Sequence, residues 1–211
     1  FNAFLSTING RLLKDGIEIV LLIIVGYMLY TEWRKKENRE LKYLMVGFFA
    51  LGLARSIEAI ILSQAVFEAL TKIFILDKYI ILIEFLEIFA IIWIANTFMY
   101  GVDDKERVRN KLRLETTIVV LAFIFMEVLW VIRLNKLPRL GLLFNLPFAL
   151  MELTKVGFLL YPVYYRFCCK VKNVYYNKAT IAFLMFSITP IINVVRHIFY
   201  GGHSNELVVL A

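Results

Sequence analysis

Residues 79–100 read YIILIEFLEIFAIIWIANTFMY, an apolar run interrupted by Glu84 and Glu87. As an α-helix rising 1.5 Å per residue it is about 33 Å long, enough to cross the hydrocarbon core of a bilayer. Runs of the same kind fall at roughly 16–33, 43–63, 116–132, 140–165 and 179–200, with short charged clusters between them. Of the 211 residues 61% are hydrophobic, against roughly 45–50% in soluble domains, and the mean hydropathy is +0.73. A chain this short has no soluble core large enough to hide six such runs. The sequence therefore predicts an all-α, polytopic membrane helix bundle of about six transmembrane helices, forming a single domain with no internal repeat.

The net charge of +7 does not indicate nucleic acid, because the basic residues sit in short loops beside the spans, as membrane insertion requires. Loops after spans one, three and five carry five (Arg34, Lys35, Lys36, Arg39, Lys42), five (Lys105, Arg107, Arg109, Lys111, Arg113) and four (Arg166, Lys170, Lys172, Lys178) basic residues. The other side carries Arg11 and Lys14, then Lys72 and Lys78, then Arg133, Lys136 and Arg139. This bias places the amino terminus outside and residues 34–42, 103–113 and 166–178 in the cytoplasm of a cell membrane. Adjacent Cys168 and Cys169 imply no disulfide framework. Reduced thiols are expected there, with acylation as the alternative.

Two segments have one-sided apolar stripes: Phe1, Phe4, Leu5, Ile8 and Leu12, then Val66, Phe67, Leu70, Ile73 and Phe74. They read as interfacial helices over 1–15 and 66–77, lying as a lid across the outer mouth. Pro147, Pro162 and Pro190 fall in or near spans five and six, where kinks are expected. The apolar restart at Leu207 reads as the start of a seventh span, the alternative being a short apolar tail.

Function is sought in the polar residues within the spans. Charges fall at Glu18, Arg55, Glu58, Glu84, Glu87, Glu127, Glu152, Lys155 and Arg196, with Asn193 and His197 beside them. One charge at a helix centre costs about 2.5 to 3.5 kcal/mol, so nine facing lipid would cost on the order of 20 kcal/mol. They are expected to face the bundle interior. By the inferred topology they all lie at mid-depth or further out, leaving the inner halves almost wholly apolar. Arg55 and Glu58, Glu84 and Glu87, and Glu152 and Lys155 are i,i+3 pairs on shared helix faces. Glu84 and Glu87 are like-charged and need a partner from elsewhere. Arg55, Glu58, Glu84, Glu87, Glu127, Glu152, Lys155, Asn193, Arg196 and His197 thus outline an acidic outer pocket for a small ligand, cation or proton. The competing expectation is an ion-pair network that fixes helix register. Glu84, Glu87 and His197 supply donors for a metal, but no metal-ligand spacing is present. The motifs of hydrolases, P-loop proteins and dinucleotide enzymes are absent, and no cofactor is implied.

The first two spans, joined by WRKKENRELKYLMVGFF (residues 33–49), resemble the amino-terminal membrane regions of prokaryotic multi-span sensors such as seven-helix histidine kinases. The resemblance implies a sensory input module. A cytoplasmic output domain or partner protein would follow, with the bilayer and a second copy of the chain as further partners. The alternatives are a small cation or proton transporter or channel, or an accessory subunit of a larger complex.

Overall fold

A computed structural model describes residues 8–67, 73–99, 105–132, 142–168 and 174–199. All its regular structure is helical: α1 (Ile8–Lys36), α2 (Arg39–Phe67), α3 (Ile73–Met99), α4 (Lys105–Ile132), α5 (Leu142–Cys168) and α6 (Val174–Phe199). Five of these contain stretches long and apolar enough to cross a membrane: Arg39–Ile61, Tyr79–Phe98, Glu106–Ile132, Asn145–Tyr165 and Thr180–Phe199. The expected first span, 16–33, lies inside α1, which is not among the five.

The helices outrun the expected spans, because charge marks where a helix leaves lipid and does not stop it. Arg34, Lys35 and Lys36 form the last turn of α1, and α4 begins at Lys105, eleven residues before the expected start at Thr116. What stops α1 is local chemistry. Glu37 adopts φ 46°, and its N–H donates to the Trp33 carbonyl at 2.7 Å, a left-handed helix stop of the kind glycine usually supplies. Asn38 then caps α2, its Oδ1 accepting from the Glu40 N–H at 2.9 Å, which satisfies one orphan donor of the first turn. A connection of Glu37 and Asn38 is all that separates two 29-residue helices.

The interfacial helices are corrected by the same continuity. Residues 8–15 belong to α1 without a break, and the ends of 66–77 belong to α2 and α3. The remainder of both segments, with Asp103, Asp104, residues 133–141, Cys169 and 200–211, lies outside the described residues. α5 runs through Pro147 and Pro162, and α6 through Pro190, as unbroken helices. Hydroxyls in the apolar runs donate to their own helix, Ser56 to the Gly52 carbonyl and Ser187 to that of Leu184, both at 2.7 Å. This is how a helix without water satisfies such groups.

The described chain divides into two compact units, one up to Ala90 and one from Ile91. In the first, α1 and α2 pack along each other, with the Phe49 ring so close over Gly26 that a Cβ there would meet a ring carbon at 3.0 Å. Buried Ala54, Ile61 and Ile83 form the core, with Ile57 and Leu86 against it. In the second, α5 packs on α6, and Ala95, Leu159, Val163 and Phe183 form the core. Phe98 meets Phe183 edge-on at 5.0 Å.

Candidate functional site

In the first unit, Arg55 on α2 is the centre. Its Nη1 donates to Glu58 Oε2 at 2.5 Å, its Nη2 lies 2.9 Å from Glu87 Oε1 on α3, and its Nε lies 3.6 Å from Glu18 Oε2 on α1. One planar guanidinium, with donors in a fixed fork, thus serves carboxylates from three helices. Lys14 Nζ approaches Glu18 at 3.6 Å from an exposed position. Asp15 is buried and lies within electrostatic range of Glu58, and Glu84 is buried one turn before Glu87. The Arg55 side chain keeps 32% of its surface exposed, so the cluster is reachable from outside the protein.

In the second unit the arrangement is inverted. Glu152 Oε1 accepts from Lys155 Nζ at 3.3 Å and from Asn193 Nδ2 at 2.9 Å. Two donors serve one carboxylate, and the Glu152 and Lys155 side chains are only 2% and 5% exposed. His197, fully buried, stacks on Phe148 at 5.8 Å, and Trp130 meets the other partner of that stack, Phe148, edge-on at 6.1 Å. Glu127 and Arg196 are half-buried and have interactions of their own. Arg196 and His197 occupy the last turn of α6, where a helix dipole favours positive charge.

These contacts join Glu18, Arg55, Glu58 and Glu87 in one network, and Glu152, Lys155 and Asn193 in another. Among the described residues no three His, Cys, Asp or Glu side chains gather to hold a metal ion, so the metal variant gains no support.

A third polar assembly corrects the expectation of apolar inner halves. Asn96, buried near the end of α3, donates to Glu115 Oε2 of α4 at 2.6 Å and to the Ile92 carbonyl at 2.9 Å. Lys111 Nζ lies 3.6 Å from Glu115 Oε1 and 3.4 Å from the centre of the Tyr161 ring on α5. Asn96 was visible in the stretch 79–100, but an uncharged amide carries little weight in a search for intramembrane charge. Compared with known proteins, the chain matches no family model, no curated protein and no solved structure.

Proposed function

We propose that the protein is a membrane-embedded sensory input module, and that the Arg55 cluster receives a proton or small cation. One observation carries this: a single guanidinium is shared by Glu18, Glu58 and Glu87. Asp15 lies beside them and Lys14 approaches Glu18, so among the described contacts four carboxylates meet two cations. Such excess attracts a proton or cation, and uptake would loosen the grip of Arg55 on three helices at once. The reading includes six crossings of a cell membrane with the amino terminus outside. The sixth, along α1, is supported by the outward apolar surface of Ile17, Val20, Leu21, Ile24 and Met28. An output partner on the cytoplasmic side and a second copy of the chain complete the proposal.

Transport is the second reading, favoured by the three prolines within α5 and α6, each of which removes one backbone hydrogen bond from an otherwise continuous helix and so marks a place for it to bend. Full-length protein in liposomes separates the two. A sensor changes the distance between labels on α1 and α2 as pH or cation concentration changes, with no net flux. Cation or proton flux abolished by Glu87→Gln overturns the sensor reading. The topology has its own test: a membrane-impermeant thiol reagent applied outside intact cells should leave the exposed Cys168 unlabelled.

A further inference from the structure

The Asn96–Glu115–Lys111–Tyr161 assembly has no role in the receiving site, yet its parts are those of a cation-recognition site. Asn96 uses both amide hydrogens, one on the Ile92 carbonyl and one on Glu115 Oε2, so the Glu115 carboxylate is pinned by a buried neighbour. Its other oxygen lies 3.6 Å from an ammonium that also sits over the Tyr161 ring, 3.4 Å from the ring centre. A carboxylate and an aromatic face meeting one ammonium is the chemistry that binds organic ammonium groups. Asn96, Glu115 and Tyr161 are contributed by α3, α4 and α5. Lys111 comes from one turn before Glu115 on the same helix, where it acts as a tethered ligand at high effective concentration. Its side chain is 30% exposed and that of Glu115 16%, so a solute can reach the place it fills.

We propose that Glu115 and Tyr161, braced by Asn96, form a binding site for small organic ammonium cations, held shut in this structure by Lys111. The internal ammonium latches α4 to α5, and a free alkylammonium competes with it. The test uses the full chain in detergent micelles, with thermal unfolding followed by tryptophan fluorescence. Lys111→Ala should lower the Tm by several degrees. Propylammonium chloride should restore it saturably, whereas potassium chloride at equal concentration should not. Tyr161→Leu in the Lys111→Ala background should remove most of that restoration. Should Lys111→Ala fail to fold, Lys111→Ser, which also vacates the space of the stem, takes its place in the same titration. Absence of restoration, equal restoration by potassium, or restoration that survives Tyr161→Leu overturns the proposal.

Discussion

The Arg55 cluster and the Glu152 triad are built from the same residue types with opposite stoichiometry. Around Arg55 one cation serves three carboxylates and keeps about a third of its surface open. Around Glu152 one carboxylate is held by an ammonium and an amide, and the pair is almost fully buried. The enclosed arrangement suits the holding of α5 to α6, whereas the open one can be approached. The receiving role is therefore proposed only for the first unit.

The comparison breaks most readily at Arg55. Arg55→Leu leaves Glu18, Glu58 and Glu87 without their shared cation and should cost about 3 kcal/mol, the low end for breaking a buried ion pair, because the guanidinium keeps about a third of its surface open. Denaturant unfolding in micelles measures it, and adding Glu58→Gln and Glu87→Gln should recover part of the loss. No recovery would place the damage in packing.

Lys155→Met should cost about 3 kcal/mol by the same mechanism, since Glu152 loses the ammonium that faces it at 3.3 Å. Here a second change repairs the first. Adding Glu152→Gln removes the uncompensated charge and should recover most of the stability, and failure to recover would mean that this unit too depends on net charge. Asn193→Leu should cost less, about 1 to 2 kcal/mol, the range for orphaning a buried polar group.

The smallest effect expected is at the α1–α2 contact. Gly26→Ala should destabilise by about 1 kcal/mol, because the gain in helix propensity is outweighed by displacement of the Phe49 ring. Gly52→Ala, where the nearest atom to the new Cβ is Leu22 Cβ at an ordinary 3.6 Å, should be neutral or mildly stabilising. Equal outcomes at the two glycines would refute the packing seen here.

Helix placement was largely legible in the sequence, since the described part of each apolar run falls inside one helix. Helix ends were not, because the density of Lys and Arg locates the membrane edge, whereas the stop at Glu37 depends on a backbone angle and the start at Arg39 on the Asn38 cap. The Arg55–Glu58 and Glu152–Lys155 contacts follow from i,i+3 spacing. The reach of Arg55 to Glu18 and Glu87, and of Asn96 to Glu115, does not, because partners on different helices are set by packing. The sorting of these charges into two networks was beyond reach for the same reason: spacing pairs residues within a helix and is silent between helices.

The tight turn at Glu37 and Asn38 also bears on how the protein enters the bilayer. Glu18 lies nineteen residues before Glu37 and Arg55 seventeen after Asn38, about 28 and 26 Å along their helices. Folding the two helices back on each other at that turn brings the two charges level without help from any later segment. Delivered one at a time, the helices would carry only their own pairs, Lys14 with Glu18 and Arg55 with Glu58. Delivered together, they add the contact between Arg55 and Glu18, so on the proposed topology the turn makes the two-helix hairpin the cheaper piece of nascent chain to insert. Lengthening the turn with flexible residues should then lower the yield of inserted protein during synthesis more than it lowers the stability of what has already inserted.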